Sequence, residues 1–210
     1  MLISRKEAGF LLAQKLVAET ETKEAVLLAI PNGGVVVADQ ISRSLSWPLA
    51  LIVTKKITAP NNEELAIGAV GDKEDSVFLN NELIAQLGIE KDYLDREINF
   101  RIAQVKRKQK ELMFRTRPLL AGKKAIIIDD GIATGATVIA AIRQIRKESP
   151  DEVIVAAPVV SFVALEEIGK EADRVIYLES PKLFFSVSQF YQDFKQVSEE
   201  EVKRILATQE

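Results

Sequence analysis

The chain has 210 residues, 47% of them hydrophobic and 28% charged, enough for one compact domain with a full core. A formal net charge of −3 argues against bulk nucleic-acid binding, which needs a basic surface, but leaves room for a small anionic ligand in a local basic pocket. Cysteine and histidine are both absent, which excludes disulfides, thiolate nucleophiles, zinc–thiolate sites, His-ligated metals and a Ser-His-Asp triad. Any metal must then sit on oxygen ligands, which favours Mg²⁺ or a similar hard ion.

The N-terminus, Met-Leu-Ile-Ser-Arg-Lys-Glu, has no export-signal pattern. Ser4-Arg5-Lys6-Glu7 has the form of a capping box and predicts a helix from residue 5 to about 19, with Phe10, Leu11, Leu12, Leu16 and Val17 as its apolar side. Residues 25–30 read as a buried strand, Pro31-Asn32-Gly33-Gly34 as a loop of small residues, and 35–45 as a helix. Such a strand–loop–helix unit can hold an anion on its backbone amides, or can be only a tight turn.

Residues 49–54 form another apolar strand, followed at once by Lys55-Lys56. The pair is either ordinary solvated charge or a source of cations for an anionic ligand. Residues 57–64, with their proline and asparagines, predict a mobile loop ending in Glu64, a helper carboxylate or a plain loop charge. Strand-like chain returns at 65–70. A short strand at 76–79 precedes a short helix capped by Asn80 or Asn81 and ending near Gly88. A long helix is expected from 91 to about 115, with Leu94, Ile98, Ile102, Val105, Leu112 and Met113 recurring along it. Its charges, Arg96, Arg101, Lys106, Arg107, Lys108 and Lys110 mixed with Glu97 and Glu111, read as a solvated face, with a hood or oligomer contact as the alternative. A hood or insertion at about 72–118 would sit within a single domain spanning 1–210.

Residues 125–137, A-I-I-I-D-D-G-I-A-T-G-A-T, carry the chemistry. Ala125 to Ile128 are continuously apolar, as in a strand buried on both faces. Asp129 and Asp130 would be costly inside that strand, so they mark its carboxyl end, where an open α/β sheet places its ligands. Gly131 and Gly135 allow positive φ and close backbone approach, and a helix runs from about Thr137 to Lys147. Free amides at its first turn, with the helix dipole, make a phosphate seat. Thr134 and Thr137 can add hydroxyl donors, and the two carboxylates can accept from a sugar diol or hold a divalent cation. No nucleotide P-loop and no dinucleotide G-x-G-x-x-G occurs.

Strands at 152–158 and 174–178 flank a helix at 162–168. Strand–helix alternation predicts an α/β fold: a doubly wound, mostly parallel sheet with helices on both faces and right-handed crossovers. The longest mostly apolar run, 153–165, is interrupted by Ser161 and falls short of the ~18–20 residues of a spanning helix. A cytoplasmic protein without a membrane partner is expected. In the tail, Phe190, Tyr191 and Phe194 read as core anchors, or as a stacking surface for a planar base. Ser198-Glu-Glu-Glu201 caps a closing helix.

The segment Asp129-Asp130-Gly131-Ile132-Ala133-Thr134-Gly135-Ala136-Thr137 resembles the phosphoribosyl-pyrophosphate (PRPP) signature of the type I phosphoribosyltransferases. Residues 55–70 resemble K-K-x-x-A-P-x-N-x-E-x-A-I-G-A-V, a pattern of a bacterial branch of that family, and the tail's F-Y-x-D-F is similar to the same branch. The resemblance implies that Asp129 and Asp130 contact the ribose hydroxyls and that Gly131, Ala133, Thr134, Gly135, Ala136 and Thr137 wrap the 5′-phosphate. Pyrophosphate would lie on Asn32, Gly33, Gly34, Lys55 and Lys56. The family's loop commonly reads Pro-Arg-Gly-Gly, so Asn32 offers no fixed charge, and Lys56 would supply it. The implied chemistry is Mg²⁺-assisted transfer of ribose 5-phosphate to an acceptor such as a nucleobase, with Lys56 and Asp130 as the catalytic residues. A PRPP or nucleotide sensor and a ribose-phosphate hydrolase on the same pocket are the alternatives. A homodimer is the expected assembly.

Overall fold

The computed structural model describes residues 1–22, 24–112 and 117–208. In chain order the elements are α1 (Arg5–Thr20), β1 (Val26–Ala29), α2 (Gly33–Leu45), β2 (Leu49–Leu51), β3 (Lys55–Ala59), β4 (Asn62–Val70), β5 (Phe78–Leu79), α3 (Asn81–Gln86), α4 (Lys91–Leu112), β6 (Lys124–Ile128), α5 (Ala136–Arg146), β7 (Glu152–Val159), α6 (Phe162–Ile168), β8 (Arg174–Glu179) and α7 (Glu199–Ala207). Met113 and Arg115, expected in the long helix, lie outside the described residues.

Five strands form a sheet in the order β2-β1-β6-β7-β8, with every neighbouring pair parallel. Their central residues are apolar because both faces are covered, and the charged ones, Lys124, Glu152, Arg174 and Glu179, stand at strand ends. Leu27, Ala29, Leu51, Ile126, Ile128, Ile154 and Ala156 face one core with Leu12 and Leu16 of α1, Ile41 of α2 and Val202 of α7. Val26, Leu28, Ile127, Val153 and Val155 alternate to the other face, against Ile142 and Ile145 of α5 and Ile168 of α6. The doubly wound sheet is therefore as expected.

Two expectations need correction. Phe10, Leu11 and Val17 of α1 are exposed. The helix buries the expected Leu12 and Leu16 together with Ala8, Gly9 and Ala13, because it lies close on α2: a Cβ on Gly9 would stand 2.6 Å from the Val37 carbonyl oxygen. Residues 57–64 are not a loop. β3 and β4 pair antiparallel and turn at Pro60-Asn61, where proline fixes φ at the first central position and Asn61 takes φ 60° at the second. β5 joins as a third strand. This small sheet and α4 share a core of Val53, Ile57, Ile67, Val70, Ile102 and Val105 beside the main sheet.

Candidate active site

β1 and β6 lie side by side, but the chain leaves β1 for β2 on one flank and β6 for β7 on the other. A crevice at the carboxyl edge of such a switch point is where doubly wound sheets take ligands. The loop 31–34 of the sequence reading leaves β1 at this point, its two glycines forming the first residues of α2, and the loop 129–135 leaves β6 beside it. The two are packed tightly. A Cβ on Gly34 would lie 2.7 Å from the Ile128 carbonyl oxygen, and one on Gly33 would lie 1.8 Å from Oδ2 of Asp130. Only glycine permits this approach. The peptide between Pro31 and Asn32 is cis.

Two clefts flank the junction. One, of about 640 Å³, is lined by Arg5, Asn32, Gly33, Lys55, Lys108 and Asp130, among others. The other, of about 460 Å³, is lined by Lys55, Lys56, Glu63, Arg101, Asp129 and Thr137, among others. Pro31, Thr54 and Lys55 line both, and the buried Thr54 hydroxyl has no hydrogen-bond partner among the described residues. The lysine pair, the acid pair and the loop 31–34 thus meet, although Lys55 and Asp130 are 75 positions apart in sequence.

The two acids differ in setting. Asp130 accepts from Arg5 Nε at 2.7 Å through Oδ2, and both side chains are largely buried. The Arg5 guanidinium carbon stands 3.8 Å from the ring centre of Phe194, and its Nη1 donates to the Lys195 carbonyl at 2.8 Å. Tyr191 donates its hydroxyl to the Asp130 carbonyl at 2.6 Å. Burial, then the nearby Asp130 charge, push the Tyr191 phenol well up, so it stays a neutral donor. Asp129 has no cationic hydrogen-bond partner among the described residues; its Oδ1 accepts the Asp130 amide at 2.8 Å. Burial first, and then the Asp130 charge, hold the Asp129 carboxyl well above the ordinary carboxylate range.

The loop beyond the acids is pinned from below. Ser161 donates its amide to the Ile132 carbonyl at 2.8 Å and its hydroxyl to the Ala133 carbonyl at 2.5 Å. In a trans peptide the N–H points opposite to the C=O, so the Ala133 and Thr134 amides aim away from Ser161. Gly135 then takes φ 79° ahead of α5, whose first turn has no side-chain cap. Positive φ is needed there and not at Gly131, which is instead tight against the Val187 side chain. Thr134 and Ala133 are exposed on the loop, Ala136 is buried, and Thr137 alone of these expected phosphate-loop residues lines the second cleft.

The sequence reading does not single out Arg5, Arg101 or Lys108 as site residues. Arg5 reads locally as part of a cap. Arg101 and Lys108 belong to the face of α4 expected to be solvated, yet both line the clefts. Only the docking of α4 against the small sheet distinguishes them from the helix's other cations. Asn32 lines the first cleft but turns its side-chain amide to the Val197 carbonyl at 2.9 Å.

Residues 5–195 match the family model described as a phosphoribosyl transferase domain. A Mycobacterium tuberculosis protein, provisionally named a phosphoribosyl transferase in two strains, is 37% identical over 204 residues, which is 96% of this chain and 45% of that protein. The chain therefore spans about half the length of the curated relatives it matches. The crystal structure of TT1426 from Thermus thermophilus is 35% identical and superposes with a TM-score of 0.81, covering 100% of this chain and 99% of that one. AQ2163 from Aquifex aeolicus, 17% identical with a TM-score of 0.51 over 83% of this chain and 73% of its own, shares the fold. With the acid pair, the glycine loop and the switch point in place, the chain belongs to the phosphoribosyl transferase domain family.

Proposed function

We propose that the protein binds PRPP and transfers its ribose 5-phosphate to an acceptor, releasing pyrophosphate. The observation that carries this is the convergence of three anion- and diol-holding parts at one switch point: the loop 31–34, the lysines of β3, and the acid pair with the loop pinned by Ser161. The 5′-phosphate would rest on the amides of residues 133–137, at the uncapped start of α5. The ribose hydroxyls would donate to Asp129 and Asp130. Gly33, Gly34 and Lys55 would receive the pyrophosphate, with Lys56 nearby.

The acid pair fits a hard cation. One oxygen of each carboxyl group is engaged, Asp129 Oδ1 by an amide and Asp130 Oδ2 by Arg5. Among the described residues no cluster of three or more metal-ligating side chains is present. Mg²⁺ held there would therefore share its shell with substrate and water oxygens, as it commonly does, and would neutralise charge on the pyrophosphate. Leaving-group departure puts positive charge on the ribose and negative charge on the pyrophosphate. Fixed carboxylates beside the sugar and lysines beside the leaving group answer both, and no histidine is required.

A second reading is a PRPP or nucleotide sensor with the chemistry lost, and Asn32 favours it, since its side chain serves Val197. Pyrophosphate release from PRPP with Mg²⁺, measured across a panel of nucleobases and other acceptors, separates the two. Transfer requires release that depends on the acceptor and is abolished in Asp130→Asn. Release without any acceptor indicates a hydrolase. PRPP binding without release indicates the sensor. No helix among the described residues is long and apolar enough to cross a membrane, and the proposal extends to a cytoplasmic homodimer acting on small molecules.

A further inference from the structure

The loop 31–34 carries no charge of its own, and Asn32 is committed to Val197. The cleft at that loop is nevertheless lined with cations from elsewhere: Arg5, Lys55 and Lys108. Arg5 is committed to Asp130. Lys108 is different. It belongs to α4, 76 positions beyond Asn32, and only 18% of its side chain is exposed, although lysine is seldom buried unless paired. Its partner is Glu199, the first residue of α7. The Lys108 hydrogen bond, then the Lys108 charge, hold the Glu199 carboxyl below its usual range, and Lys203 and then Lys55 add to the same effect. Glu199 thus ties the α4 lysine to the start of α7.

We propose, resting on the phosphoribosyl-transfer reading above, that Lys108 is a pyrophosphate-binding residue which supplies from α4 the charge that Asn32 does not. Glu199 holds Lys108 in place until a diphosphate takes it over. A diphosphate presents more charge and more acceptor oxygens than one carboxylate, and charge-assisted hydrogen bonds are the strong ones. Glu199 gives up little in return. Its side chain is 48% exposed, so it regains water on release, and it remains at the favourable N-terminal end of α7.

The test uses the full chain, calorimetry, and two probes with Mg²⁺: inorganic pyrophosphate for the first cleft and ribose 5-phosphate for the second. Lys108→Ala is expected to weaken pyrophosphate about tenfold, a loss of about 1.4 kcal/mol, and to leave ribose 5-phosphate unchanged. Lys108→Arg restores the binding. Glu199→Gln breaks the same bridge but frees the lysine, so pyrophosphate binds a few-fold more tightly, and the gain vanishes in the Lys108→Ala background. A purely structural bridge would make both single variants change affinity in the same direction, which overturns the proposal. So does unchanged pyrophosphate affinity in a Lys108→Ala protein that melts like the parent and still binds ribose 5-phosphate. If the parent binds neither probe, the phosphoribosyl-transfer reading itself falls, and the role of Lys108 with it.

Discussion

At the scale of single residues, the two adjacent acids sit in different surroundings, and this has a pH consequence. Asp130 is paired with Arg5, whereas Asp129 is desolvated, faces the Asp130 charge, and holds its proton to an unusually high pH. Only the ionised form accepts freely from a diol or ligates a cation, so PRPP affinity is expected to rise with pH through the raised titration of Asp129. Stability runs the other way. Between the ordinary carboxylate range and the raised value the folded state binds more protons than the unfolded one, so the stability of the free protein falls as pH rises through that window. Asp129→Asn should therefore raise the melting temperature at neutral pH while weakening PRPP about 10- to 100-fold, the cost of one or two hydrogen bonds to a charged group. A variant that lost affinity and stability together would contradict the assigned charge state. The identity of this pair was legible in the sequence, because two carboxylates closing an apolar strand mark the edge where such a sheet meets its ligands. Their inequality was not, since it depends on Arg5, which arrives from 125 positions away.

The functional elements are loops whose shape is fixed by their neighbours. The phosphate loop follows β6, but its conformation is held by Ser161 after β7, through hydrogen bonds to the carbonyls of Ile132 and Ala133. The same hydroxyl accepts the Ala164 amide as the N-cap of α6. Ser161→Ala should cost about 1–2 kcal/mol of stability, as a lost cap does. It should also weaken ribose 5-phosphate about tenfold while sparing pyrophosphate, a selectivity readable by calorimetry with the two probes. Equal losses for both would indicate a general collapse of the crevice. The strands that position these loops could be read from their apolar runs, because a strand covered on both faces has no polar position to hide it. The hairpin β3–β4 could not. Its outer half, Asn62, Glu63 and Glu64, is exposed, so proline and asparagine read as loop chemistry where they make a two-residue turn. The lysines of β3 consequently stand at the start of a strand paired with β4.

For the molecule as a whole, the N-terminal segment and the tail at residues 191–195 converge on one carboxylate. Leu2 pairs with Tyr191 in a parallel bridge, Arg5 spans from Asp130 to the Lys195 carbonyl, and Phe194 covers the guanidinium. The aromatics of the tail act here as anchors, packing with Leu2 and Ala8. The site is thereby tied to the closure of the entire fold: unfastening the tail uncovers Arg5, and removing Arg5 leaves Asp130 as a buried carboxylate without its partner. Such removal is strongly destabilising, so Arg5→Met should lower stability by about 3 kcal/mol in urea denaturation. Asp130→Asn should cost less, because Arg5 keeps the Lys195 carbonyl and the face of Phe194. The double variant tests the coupling. With neither charge present no buried charge is left unpaired, and Arg5→Met/Asp130→Asn should recover most of the loss caused by Arg5→Met alone, a coupling of about 1–3 kcal/mol in a double-mutant cycle. Simple additivity of the two losses would mean that Arg5 supports the tail through Phe194 and Lys195 only, and that Asp130 keeps its place at the crevice without help from the chain ends.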